Sequence, residues 1–169
     1  MVADELKEVV VPREEATFWL DRWGYWCNAH GRFQHKKIID YFHAAIARDE
    51  KGYFVAQVNG DCREKVYFRY EDTALFVFDV LLDDGPTLVL NTRTPIPLDP
   101  DALFIHNDYL YMRKGGDLIK FNERSMLKIS ALFEHNGDTC FITIGGVRKA
   151  IPDRDATVLS GDGKRHSNP

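Results

Sequence analysis

The stretch Arg63–Gly85, REKVYFRYEDTALFVFDVLLDDG, carries two patterns that together decide the fold. In its first half Val66, Phe68 and Tyr70 fall on one side and Lys65, Tyr67 and Arg69 on the other. A period of two is that of a strand with one face in a core and one in polar surroundings. From Thr73 the pattern becomes a nearly unbroken apolar run, TALFVFDVLL, which suits a strand covered on both faces. Leu75, Val77 and Val80 are expected in the core, with Phe76 and Phe78 on the facing side. Asp83-Asp84-Gly85-Pro86 then ends the run as a turn.

Reading outward, YFVAQVNG precedes this stretch and ends in Asn59-Gly60, a strong hairpin signal. Further upstream, WGYWCNAHGRF reads as a strand, a turn at Ala29-His30-Gly31 and a short return. Downstream, TLVLNT is another strand, and the prolines at 95, 97 and 100 reduce TPIPLDPDALF to a connection with one edge strand. DYLYMRK and DLIKF form a hairpin around Gly115-Gly116, and TCFITIGGVRKAI a last one around Gly145-Gly146.

Two helices interrupt the strands. Ile38, Ile39, Phe42, Ala45 and Ile46 recur at helical spacing, which predicts a helix over Gln34–Glu50 with Gly52 as its stop. Asn122 is placed to cap a second helix, with Met126, Ile129, Ser130 and Phe133 on one face, ending by Asn136-Gly137. No repeat period is evident. Strands outnumber helices, and short turns rather than helical crossovers join them. This predicts an α+β fold: a mostly antiparallel, curved sheet with one principal helix and a second. Residues 1–16 read as a lead-in, 17–152 as a single α+β domain, and 153–169 as a tail without fixed structure.

Of the 169 residues 44% are hydrophobic, enough for a sizeable core. The net charge of -4, with no basic patch, argues against a nucleic-acid partner. No apolar run reaches the length of a membrane span, and the first residues are acidic where a signal peptide is basic. Cys27, Cys62 and Cys140 are an odd number at wide spacings, suited to reduced thiols, so a cytoplasmic protein is expected.

REKVYF, EDTALFVFDVL and SMLKISALFEHNG, in that order, resemble two uncharacterised groups. The looser match is to the bacterial family known as domain of unknown function 1285. The closer one is to a set of UPF-type proteins of eukaryotes with mitochondrial members. The resemblance runs from about Tyr25 to Ile151. It implies an α+β fold and lends no catalytic residue.

Several constellations could carry chemistry. Glu71-Asp72 could pair with Arg63, Arg69 or Arg124 to hold a ligand or accept a proton. Adjacent residues on a strand point to opposite faces, however, and an Asp before a buried run favours bonding nearby backbone N–H groups. The preferred reading of Asp72 is therefore structural. Cys27 and His30 have the spacing of half a zinc site, but Cys62, His106, His135 and Cys140 supply no second pair, so no metal is expected. No nucleophile elbow and no phosphate-cradling loop occurs, and no cofactor is expected.

The aromatic cluster from Trp19 to Trp26, beside His30-Gly31-Arg32, could line a small-molecule pocket or close the open end of the sheet. The expected function is a non-enzymatic module binding a small molecule or a protein. Its candidate ligand residues are Trp23, Trp26, His30, Arg32, Arg69, Glu71, Asp72 and Arg124. The alternative is a small hydrolase or lyase, with His30 and Glu71 or Asp72 as acid–base groups and Arg32 or Arg69 as anion holder.

Overall fold

The computed structural model describes residues 6–83, 85–155, 157 and 159, and the chain divides just after Ala74. One unit comprises the chain up to Ala74 together with Asn91–Thr94; the other comprises Leu75–Leu90 and the chain from Pro95 onward. As the sequence predicts, the fold is α+β, with two α-helices among the described residues and mostly antiparallel sheets.

In the first unit β1 (Lys7–Val11) is followed by β2 (Phe18–Leu20), β3 (Trp26–Asn28) and β4 (Gly31–Arg32), then α1 (Lys36–Ala44), β5 (Ile46–Asp49), β6 (Gly52–Asn59) and β7 (Cys62–Tyr67). The lead-in is thus partly a strand: β1 runs parallel to β7, Lys7 opposite Cys62 and Val11 opposite Val66. The strands β5, β6 and β7 form an antiparallel meander; the hairpin signalled by Asn59-Gly60 is present, with Gly60 and Asp61 as its turn and Asn59 paired with Cys62. A smaller sheet is made by β2, β3 and β4.

The expected helix over Gln34–Glu50 is correct only in its first part. The chain leaves the helix after Ala44, and Ile46–Asp49 becomes β5, with Ile46 opposite Val55 and Asp49 opposite Gly52. Ile46 fits a helical and an extended pattern equally well, and pairing with β6 decides between them. Gly52 is accordingly no helix stop but the first residue of β6, just after the Glu50-Lys51 turn, with φ at +117°. A Cβ there would lie 2.9 Å from Arg13 Nη2 and 3.2 Å from the Tyr70 hydroxyl.

The second unit holds β8 (Leu75–Leu81), β9 (Thr87–Leu90), β10 (Pro95–Pro97), β11 (Leu103–His106), β12 (Tyr109–Lys114), β13 (Asp117–Phe121), α2 (Glu123–Ile129), β14 (Phe133–Asn136), β15 (Thr139–Ile144) and β16 (Val147–Ile151). Six strands form one sheet in the order β10-β9-β8-β13-β12-β11, and β14, β15 and β16 form another. The proline-rich connection does contain an edge strand, β10, but its last two residues, Leu103 and Phe104, begin a further strand, β11.

Asn122 caps α2 as expected, accepting a 2.9 Å hydrogen bond from Ser125 N. The helix ends earlier than expected, because Phe133 pairs with Ile142 in the β14–β15 hairpin. Asp153 and Arg154 lie along β11, with Arg154 N donating to Ile105 O at 2.7 Å. Most of the rest of the expected tail lies outside the described residues.

The apolar run behaves as a buried strand with one irregularity. Val77 opposes Leu90 and Asp79 opposes Val89, so the register slips at Phe78. Such a bulge shifts the phase of alternation by one residue. That is why Val77 and Val80, three positions apart, share one core with Leu88, Leu110, Ile119 and Phe121, with Leu75 packed against it. Phe76 is fully buried, whereas Phe78, at the slip, is only half-buried.

A repeat is present after all. Ala102-Leu103-Phe104-Ile105-His106-Asn107 recurs as Ala131-Leu132-Phe133-Glu134-His135-Asn136. Each copy enters a three-stranded meander whose second turn is a Gly-Gly pair. The first unit repeats the plan with β5, β6 and β7. In two of the three meanders the last strand gains a parallel neighbour: β1 beside β7, and β8 beside β13.

Candidate functional site

Among the described residues of the first unit, a pair of clefts each takes some of the residues singled out from the sequence. The larger, of about 530 Å³, is lined by Asn28, His30, Arg32, Phe33, Gln34, His35, Ile38 and Phe42. A single run of chain builds it: the β3–β4 hairpin, the connection after β4, and the first half of α1. Ala29 and His30 make the hairpin turn, which Asn28 Oδ1 tightens by accepting a 2.9 Å bond from His30 N. Phe42 roots the helix side in the core. Its ring stands edge-on to Phe33 at 5.3 Å, Trp26 at 5.4 Å and Phe18 at 4.9 Å.

Arg32 is fixed from two directions. Its guanidinium lies 4.0 Å over the Tyr25 ring and 5.6 Å from Trp23, while Nε faces Asp21 Oδ2 at 3.6 Å. Asp21 is held in turn by its own loop. Its Oδ1 accepts from Trp23 N at 3.0 Å and Tyr25 N at 2.9 Å. The nearby thiol of Cys27 is buried, and that burial, with the Asp21 charge beside it, pushes its pKa up.

The second cleft, of about 460 Å³, is lined by Trp19, Leu20, Asp21, Arg69, Tyr70 and Glu71. It forms where Trp19 and Arg69 meet in a parallel bridge, Leu20 N donating to Arg69 O at 2.9 Å. The Arg69 guanidinium lies 5.3 Å over the Trp19 ring.

The candidate residues are therefore not one group. His30 and Arg32 line the first cleft, and Arg69 and Glu71 line the second. Asp72 lines neither and is half-buried in the bend before Thr73. Trp26 is 1% exposed, inside a cluster of rings with Phe18, Phe42, His43 and Phe68. Trp23 is half-buried beneath Arg22, whose guanidinium is 4.4 Å from the ring. Arg124 belongs to α2 of the second unit. There Lys128, bonded to Asp79, holds that carboxyl below its usual range, with Arg124 adding to the effect.

Asp21, His35, Ile38 and Phe42 are walls or supports that the sequence reading did not single out as ligand residues. Their signal is indirect: an Asp two and four positions before the backbone donors it holds, and a helix beginning just after a hairpin. His43 was missed too. Its Nδ1 lies 3.1 Å from Asn91 Nδ2, which also donates to Ala74 O at 3.0 Å. Asn91 is thus the donor, Nδ1 the acceptor, and the ring neutral with its proton on Nε2. Burial lowers the His43 pKa from 6.5 to about 4, with nearby Asp40 opposing the shift.

No family model matches the chain, and no curated protein matches it. Among solved structures, a DUF1285 family protein from Silicibacter pomeroyi DSS-3 superposes with a TM-score of 0.57 at 13% identity, over 85% of this chain and 81% of that one. The chain has the fold of a DUF1285 protein. A second DUF1285 family protein, from Shewanella baltica OS155, gives a TM-score of 0.48 at 15% identity over 68% of this chain and 91% of its own. The resemblance read from the sequence thus extends to the DUF1285 fold. It does not touch the eukaryotic group, and it assigns no residue a role. Among the described residues no helix is long and apolar enough to cross a membrane.

Proposed function

We propose that this chain is a non-enzymatic small-molecule-binding module whose ligand sits in the cleft between the β3–β4 hairpin and α1. The observation that carries the proposal is the make-up of that cleft. Phe33, Ile38 and Phe42 give it an apolar wall, and Asn28, His30, Arg32, Gln34 and His35 bring polar groups to its rim. An apolar wall with a few convergent polar groups, at a volume within the roughly 300–1,000 Å³ of ligand pockets, is the usual form of a small-molecule site.

The hydrolase or lyase alternative has less support. It needs His30 and a carboxylate in one cleft, whereas His30 and Glu71 line different ones. The free, widely spaced cysteines support a cytoplasmic setting for the module.

A fragment screen followed by amide chemical shifts tests the proposal. Binders should move the signals of residues 28–42, and Ile38→Trp, which fills the cleft from its rim, should abolish those shifts while signal dispersion is retained. Binders that map elsewhere, or that bind Ile38→Trp as well as the parent, would refute it.

A further inference from the structure

We infer that the cleft selects a small organic anion, a carboxylate or phosphate carried on an apolar body, and that Arg32 is its receptor. This rests on the reading of the cleft as a binding site and adds the class of ligand.

The first support is the charge of the wall. Acidic residues outnumber Lys and Arg 26 to 22 in the whole chain, yet among the described residues no carboxylate lines this cleft. Its charged or chargeable side chains are Arg32, His30 and His35, all of which can donate hydrogen bonds, and its amides are Asn28 and Gln34. A ligand with acceptor oxygens finds partners along this rim, and a cation finds none that is charged.

The second support is the state of Arg32. An exposed arginine ordinarily loses much rotamer freedom when it closes on a ligand. Here stacking on Tyr25 and the ion pair with Asp21 already fix the guanidinium plane. The ion pair uses the Nε edge. Neither Nη nitrogen has a hydrogen-bond partner among the described residues, and the side chain remains 53% exposed. A restrained guanidinium with its Nη nitrogens open is suited to hold carboxylate or phosphate oxygens. Asp21 faces only the Nε edge, through Oδ2, while its Oδ1 is held by two backbone N–H groups, which leaves the Nη edge to a ligand.

The third support is the floor. Phe33 and Phe42 lie 5.3 Å apart as an edge-on pair, and Phe42 is continuous with the Trp26 ring cluster. The apolar part of a ligand would therefore meet a rigid aromatic surface rather than mobile chains.

Three probes of similar body test the inference on the full chain: phenylacetate, the neutral phenylacetamide, and phenyl phosphate. Dissociation constants come from amide shifts of residues 28–42 in the parent, Arg32→Gln and Arg32→Lys. At least one anion should bind about tenfold or more tightly than the amide, a difference of about 1.4 kcal/mol. Arg32→Gln should remove the preference, so that this variant binds that anion no more tightly than it binds the amide. Arg32→Lys, which keeps the charge but not the fork, should fall between them. A carboxylate ligand is indicated if phenylacetate is preferred, and a phosphate if phenyl phosphate is.

If the amide binds as tightly as both anions, or Arg32→Gln leaves anion binding unchanged, the anion selectivity is wrong and the cleft remains a binding site. If none of the probes shifts the cleft residues, the inference fails here. If a wider fragment screen also leaves them unmoved, the cleft reading fails with it.

Discussion

At neutral pH His43 lies 3% exposed and uncharged, accepting a hydrogen bond from Asn91. Acid must therefore put a proton on a ring that has no room for its hydration and whose Nδ1 already faces a donor. The folded-state pKa is about 4 against an ordinary 6.5. Between those values the unfolded chain binds more protons at this position than the folded one, so stability is full above pH 6.5 and is lost as pH falls toward 4. The gap of about 2.5 pKa units corresponds to about 3 kcal/mol in all, of which about 2 kcal/mol is lost between pH 7 and pH 5. Asp40, Asp49 and Asp79 also have lowered pKa values and add losses at more acid pH, so the comparison must be between variants. His43→Gln keeps an acceptor for Asn91 and removes the titration. Urea unfolding at pH 7 and pH 5 should show the parent losing about 2 kcal/mol more than His43→Gln over that interval. Equal losses in the two proteins, or a His43 ring that titrates near pH 6.5 in the folded protein by NMR, would refute the reasoning.

Truncation along β8 should reflect the bulge. Phe76→Ala should cost about 3–5 kcal/mol in denaturant melts, as buried aromatics do, whereas Phe78→Ala at the slip should cost clearly less; equal costs would remove the bulge from the explanation. Gly52→Ala should destabilise by more than about 1 kcal/mol, because it meets both a positive φ and the Arg13 and Tyr70 side chains. Adding Arg13→Ala should relieve part of that cost, and a thermal melt of the double variant checks it.

Much of the sheet was legible because alternation is a local signal. The run around Val66 announces the burial of Val66 and Phe68, although Tyr67, on the side expected to be polar, is buried as well. The apolar run around Val77 announces a buried strand but not its bulge; Asn59-Gly60, Gly115-Gly116 and Gly145-Gly146 announce their hairpins. The boundaries that failed are those set by partners distant in the chain. Ile46–Asp49 reads as helix until β6 is beside it, and Phe133 continues a helical face until Ile142 claims it. The repeat is legible in the two Ala-Leu-Phe-x-His-Asn copies, but each copy on its own reads only as a strand start or a helix end. At the site, a polar hairpin turn drew His30 and Arg32 into view. Ile38 and Phe42 read only as helix residues, because a cleft wall exists only once the helix is set against the hairpin.

The meanders also imply an order of assembly. Each closes through turns of a few residues, so its ladders form with little loss of chain entropy. The parallel seams differ. Lys7 must find Cys62, and Leu75 must find Ile119, across long intervening segments. Contacts of such separation form late in folding. Until β1 arrives, the outer edge of β7 stands unpaired, and β1 brings little apolar burial to hold it there, since Val9 and Val10 stay exposed at 40% and 49%. Its attachment depends on backbone hydrogen bonds along one edge. In the native protein this seam should be the first to open, and in a hydrogen-exchange measurement the amides of β1 should exchange well before those between β6 and β7.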